Sequence, residues 1–203
     1  MTIDVKKGGV GQGRWWALAA IALSGLVIGL DTTILITALP TLSTKLGATT
    51  SQLQWLSDAY TLALAGLLLP AGVLGDRFGR RRLILIGLLL FGVSSVVAGQ
   101  MTSADGLIAM RAVMGVGAAI ILPLTTAILP TLFSPEERPR AIAVTSVGVM
   151  LGLPVGPLLA GWLLTHFAWG TIFLINAPVV LLALLGVGFL VPESKDPAAP
   201  RLD

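Results

Sequence analysis

Asp31, Asp58 and Arg111 stand inside long apolar runs of this chain. An ionisable group among hydrocarbon costs roughly 2.5 to 3.5 kcal/mol on insertion scales, which makes such a group a functional-site candidate by default. Two carboxylates and one guanidinium in a dry setting have a narrow chemistry: they pair, they attract cations, and the acids take up or release protons. A carboxylate that binds a proton and a cation competitively couples the two by mutual exclusion. Asp31 is the candidate for that role, Asp58 for cation recognition, and Arg111 for tuning Asp31. Trp55 and Tyr60 bracket Asp58 and offer aromatic contact to a positively charged guest, with Met114, one turn beyond Arg111, as a further cavity contact. Plainer readings exist. Asp31 could bond threonines within a bundle, Asp58 could gain 0.3 to 1 kcal/mol from a helix N-terminus, and Arg111 could serve as a structural counter-ion. Enzymatic chemistry has less to stand on, since the chain has no cysteine, one histidine and no nucleotide or metal motif. No cofactor or metal is expected. His166 reads as an interfacial residue.

The elements that must hold these residues are membrane spans. Of 203 residues, 55% are hydrophobic and 11% charged, with a mean hydropathy of +0.93, whereas soluble domains carry about 25% charged residues. At about 20 apolar residues per crossing, six helical spans are expected, over 15–39, 53–74, 83–99, 106–132, 141–164 and 169–191. The fold class is therefore an all-α membrane protein. Eleven lysines and arginines fall in alternate connections against Lys45 alone in the others, with Arg111 inside a span. That bias places both ends of the segment on the cytoplasmic side of a cell membrane and explains the net charge of +3 without nucleic acid. On this topology Asp31, Asp58 and Arg111 all lie in the outer half and could meet in one layer.

Between the second and third spans runs Gly72-Val73-Leu74-Gly75-Asp76-Arg77-Phe78-Gly79-Arg80-Arg81-Arg82. Its arginines must lie in water, Asp76 offsets their charge, and the glycines permit a sharp turn and close helix approach. The acids of Ser134-Pro135-Glu136-Glu137 fall on the same side, so a salt-bridge layer to Arg80, Arg81 and Arg82 is expected. In the fifth span Gly148, Gly152 and Gly156 recur every four residues, followed by Pro157 and Gly161; this flat face wants a partner helix. Leu39-Pro40-Thr41-Leu42 and Leu129-Pro130-Thr131-Leu132 end the first and fourth spans, an echo that fits a three-plus-three inverted repeat.

These motifs together resemble the major facilitator superfamily. Gly72 through Arg82 is similar to its loop between helices 2 and 3, with Gly72, Asp76, Arg77, Gly79, Arg80 and Arg81 as gating residues. Leu30-Asp31-Thr32-Thr33 leading to Pro40 resembles the first-helix signature of the fourteen-span drug:proton antiporters. Gln54-Trp55-Leu56-Ser57-Asp58-Ala59-Tyr60 is similar to the second-helix start of their quaternary-ammonium and methyl-viologen exporters. Arg111, Gly115 and Gly117 match the fourth-helix motif, and Gly152, Gly156, Pro157 and Gly161 the antiporter motif. Ile36 and Met114 depart from the asparagine and glutamine usual in these signatures.

The resemblance implies one six-helix half of a transporter that exchanges lipophilic cations for protons. Residues 1–14 would form a cytoplasmic tail, 15–191 the bundle and 192–203 the start of a cytoplasmic linker, with the bilayer and a second half of the transporter as partners. It further implies that the glycine face and the Asp76 turn pack against that second half. Export of another small molecule, such as a metabolite or siderophore, and a non-transporting fragment that needs a second chain are the rival readings.

Overall fold

A computed structural model describes residues 10–195. Its secondary structure over those residues is helical throughout: α1 Val10–Leu46, α2 Thr50–Phe78, α3 Arg80–Ala98, α4 Ala104–Ala127 with a 3-10 turn at Leu129–Thr131, α5 Arg138–His166, α6 Thr171–Leu174 and α7 Asn176–Leu190. Six stretches are long and apolar enough to cross a membrane, the last made of α6 and α7 together. Every expected span falls within a helical stretch to within two residues, and most helices run past the apolar limits. The end of α1 shows why. Pro40 was expected to close the span, yet the helix continues to Leu46 and stops where Gly47 adopts φ +62°. A proline removes a single backbone donor, whereas a left-handed residue redirects the chain. Residues 1–9 and 196–203, which hold most of the expected tail and linker, lie outside the described residues.

The starts of α2 and α4 are fixed by local polar groups. Thr49 and Gln52 form a reciprocal capping box on α2, and the Gln52 amide also donates to Asp105 of α4 at 2.8 Å. Ser103 accepts from the Gly106 N–H at the start of α4.

The packing has internal symmetry. α1 packs most extensively on α5 and then on α7, while α4 packs most extensively on α2 and then on α3. Exchanging helices one to three for spans four to six maps the first set of contacts onto the second, as an inverted repeat requires. α1 and α4 are accordingly the most buried spans, and α2 and α5 the least.

Glycines set the contact between α1 and α5. A Cβ on Gly152 would fall among the backbone of Gly29 and Leu30, one on Gly148 on the backbone of Ala22, and one on Gly156 on Thr33. The glycine face of α5 thus meets α1, which answers with Gly25 and Gly29, and not a second half of the transporter as the resemblance implied. Gly161 lies off this row, with open space where its Cβ would be, and Pro157 is exposed. Five residues beyond Gly156, it has rotated well away from the stripe.

The turn between α2 and α3 is internally paired. Asp76 binds Arg80 at 2.7 Å, and Gly79, at φ +115°, donates its N–H to Gly75 O. Glu193 lies against Gly79, accepts from the Arg81 N–H at 3.2 Å and meets Arg82 at 3.5 Å. Ser194 O accepts from the Arg80 N–H, and the Arg81 guanidinium donates to Gly188 O. The expected pairing of Arg80 to Arg82 with Glu136 and Glu137 does not form. Glu137 instead pairs with Arg14 at 2.8 Å, because α5 lies along α1 and its first turn arrives beside Arg14. Arg140 lies over Trp15, whose ring meets Phe133 edge-on at 5.3 Å. The Ser134 hydroxyl holds the exposed Glu136 carboxyl below the usual carboxylate range.

Candidate functional site

The site is built where α1, α2, α3, α4 and α7 converge. Asp31 on α1 and Arg111 on α4 are each 2% exposed and pair at 2.5 Å through Oδ2 and Nη1. Arg111 Nε donates to Leu56 O of α2 at 3.1 Å, and its guanidinium lies over the Tyr60 ring, 4.3 Å from the centroid. Leu56 and Tyr60, one turn apart, thus present a carbonyl and an aromatic face to one cation. Gly115, one turn beyond Arg111, allows this approach, since a Cβ there would strike the Tyr60 backbone and Ala63.

The second carboxylate oxygen of Asp31 has its own partner. Asn176, fully buried at the start of α7, donates through Nδ2 to Asp31 Oδ1 at 3.2 Å and to Ser95 Oγ at 3.0 Å. Ser95 in turn donates to Phe173 O in α6 at 2.9 Å. A buried ion pair is tolerable only when its remaining lone pairs and protons are also engaged, and here five helices share that task.

Of the three in-span charges, the fold brings together Asp31 and Arg111 and leaves Asp58 out. Asp58 sits midway between Leu56 and Tyr60, about 200° around the helix from each at 100° per residue. It therefore points away from α4 and is exposed, with no ion pair among the described residues. Trp55, half exposed, lies on the same open face. Tyr60 and Met114, expected as cavity contacts, are buried at 4% and 0% exposure; they face the α2 and α4 interface because they share the helical phase of Leu56 and Arg111. Asp31 is likewise enclosed, not set in an open cavity. His166 is exposed and stacks on Trp162.

Asn176 and Ser95 belong to the site and were not singled out from the sequence. Their signal was an amide in an otherwise apolar span, in Phe173-Leu174-Ile175-Asn176-Ala177-Pro178. A separate recess of about 190 Å³ opens between α1, α4 and α5, lined by Thr125, Thr126, Thr145 and Ser146 beside Ile21 and Gly25. The hydroxyls of Thr125 and Thr145 donate to Leu122 O and Ile142 O, both at 2.8 Å. Their oxygens are left to accept from whatever enters.

Six spans in two symmetry-related triplets around a buried ion pair define a multi-pass membrane protein. The chain belongs to the Major Facilitator Superfamily, whose family profile matches residues 21–202. It is similar to the methyl viologen resistance protein SmvA of Salmonella typhimurium, 42% identical over 84% of this chain and 35% of that protein. It is also similar to the multidrug efflux pump LfrA of Mycolicibacterium smegmatis, 41% identical over 90% of this chain and 36% of that one. The puromycin resistance protein pur8 of Streptomyces alboniger is 42% identical over 94% of the chain and 38% of its own length. The chain thus spans little more than a third of these relatives. The inward-open xylose transporter XylE of E. coli shares the fold at a TM-score of 0.78 and 18% identity, over 89% of this chain and 48% of that one. A bacterial homologue of the human lysosomal transporter Spinster, inward-facing and unoccupied, does so at 0.73 and 21%, over 96% of this chain and 46% of that one.

Proposed function

We propose that this chain is the N-terminal six-helix part of an exporter that moves lipophilic cations across the cell membrane in exchange for protons, with both ends of the segment cytoplasmic. The observation that carries this reading is the enclosed Asp31–Arg111 pair. A carboxylate held among five helices, with its cation supplied by a different helix, makes helix packing depend on whether that carboxylate bears a proton. Protonation of Asp31 frees the positive charge of Arg111 and weakens the tie between α1 and α4. Those are the two helices on which the inverted repeat is centred.

The guest's charge is then recognised elsewhere than at Asp31 itself. Asp58 and Trp55, on the open face of α2, supply a carboxylate and an aromatic surface to a cation. The hydroxyl-lined recess between α1, α4 and α5 supplies acceptors to a guest bearing N–H groups. The names of the relatives, which speak of methyl viologen, puromycin and multidrug efflux, support a broad cationic or amphiphilic substrate class. An anionic substrate would meet Asp58 with repulsion, and competition against pH-driven ethidium efflux separates it from a cationic one.

The decisive experiment is ethidium efflux by the intact transporter under an imposed pH gradient. Asp31→Asn keeps the shape and removes the titrating group, so pH-driven efflux falls to background while the protein still inserts. Undiminished pH-driven efflux by this variant removes the reading.

A further inference from the structure

The hydrogen-bond chain from Asp31 contains one group that the ion pair leaves idle. Asn176 Oδ1 is inaccessible to solvent and has no partner, while Nδ2 of the same amide serves both Asp31 Oδ1 and Ser95 Oγ. A carboxamide is nearly symmetric in shape and opposite in polarity at its two ends. A half-turn about its Cβ–Cγ bond exchanges a donor for an acceptor without changing the volume it fills.

We propose that Asn176 is a positioning residue that senses the protonation state of Asp31 and relays it to the α3–α6 contact by turning its amide over. The inference rests on Asp31 being the proton site. When Asp31 is ionised, Arg111 holds Oδ2 and the Asn176 amide donates to Oδ1, as the structure shows. A proton arriving from solvent goes to Oδ1, because Oδ2 already faces a guanidinium donor. The new O–H then points at an NH2 group, two donors with no acceptor between them. The half-turn brings Asn176 Oδ1 into that position, where it accepts from the protonated Asp31. The same oxygen now faces Ser95 Oγ, so the serine proton leaves Phe173 O and donates to Asn176. The link from α3 to α6 is thereby released. One proton is transferred, and the turn moves the Asn176 NH2 group to the unpartnered side, so the three hydrogen bonds Asn176–Asp31, Asn176–Ser95 and Ser95–Phe173 become two and the protonated state is the more loosely tied.

The ionisable groups facing Asp31 are Arg111 from α4 and Tyr60 from α2. α3 and α7 contribute the neutral Ser95 and Asn176, and α5 carries ionisable residues only near its ends, at Arg138, Arg140 and His166. The amide is thus the neutral group in the shell whose two orientations match the two states of the acid.

The test uses the intact transporter in proteoliposomes, with ethidium efflux measured across a pH series and infrared difference spectra recorded between acid and neutral pH. Asn176→Leu keeps the volume and removes both donor and acceptor. It is expected to change the proton concentration at half-maximal efflux about tenfold, one pH unit, and to remove a side-chain amide band from the difference spectrum. Asn176→Thr, whose hydroxyl both donates and accepts, is expected to restore the original profile. An unmoved profile in Asn176→Leu, or no amide band in the unaltered transporter, overturns the relay. Asp31→Asn in the same series separates the two readings: if it abolishes pH dependence while Asn176→Leu changes nothing, the relay alone fails; if it leaves pH dependence intact, the proton site itself is wrong. Ser95→Ala removes only the hydroxyl and replaces Asn176→Leu should that variant not reach the membrane. It is expected to displace the profile, and an unchanged one overturns the relay.

Discussion

Arg111 is the largest fully buried side chain among the described residues, and its surroundings decide what its loss does. Its charge meets Asp31, its Nε meets Leu56 O and its face meets Tyr60, so Arg111→Met would strand a carboxylate in a dry interior. Breaking a buried pair by removing one partner costs about 3 to 5 kcal/mol, whereas replacing both members is often tolerated. Thermal unfolding in detergent should therefore show a large loss for Arg111→Met and a smaller one for the double variant Asp31→Asn, Arg111→Met. Equal losses would mean that Arg111 acts by packing alone. The in-span charges were legible in the sequence because a charge interrupts an apolar run at visible cost. The pairing of Asp31 with Arg111 followed from topology, but the exclusion of Asp58 depended on helical phase. Asn176 escaped notice because an amide hardly lowers the hydropathy of a span, although both Asp31 and Ser95 depend on it for a hydrogen bond.

At the scale of the helices, the α1–α5 contact rests on glycine backbone meeting glycine backbone. Gly152→Leu places a side chain where Gly29 and Leu30 already lie, and overpacking of this kind costs roughly 1 to 3 kcal/mol or more. Gly161→Ala, with open space at its Cβ, should leave stability unchanged or raise it by up to about 1 kcal/mol through helix propensity. The contrast is measured by melting the two variants side by side in detergent. A similar loss in both would show that the row acts through helix flexibility and not through contact. The sequence displayed the number of spans and the glycine row in α5 plainly, because both are periodic in one segment. Which helix receives the row is a relation between segments, and the pair Gly25 and Gly29, spaced by one turn in α1, was the unread signal for it. Likewise the acids at Glu136 and Glu137 were assigned to the wrong arginines, since charge alone does not say which loop lies beside which.

At the scale of the molecule, the paired sets of contacts make the six spans two inverted triplets, a symmetry that the sequence betrayed only through Leu-Pro-Thr-Leu at 39–42 and 129–132. On the topology proposed above, the lysine and arginine bias gives its direction in the membrane. The 203 residues contain no cysteine, so single cysteines report side directly. Lys45→Cys should react with an impermeant maleimide added outside cells, and Glu136→Cys only after permeabilisation; the reverse pattern would invert the topology proposed above.

Glu193 and Ser194 close over Gly79 and the first N–H groups of α3, yet Glu193 is separated from Arg81 by more than a hundred residues of chain. A ribosome delivers Arg81 long before it delivers Glu193. Through the insertion of three further spans the start of α3 has no such cover, and the clasp shuts only when the sixth helix has been threaded. The contact is thus a record of completion: any product that ends before residue 193 carries an open junction between its second and third helices.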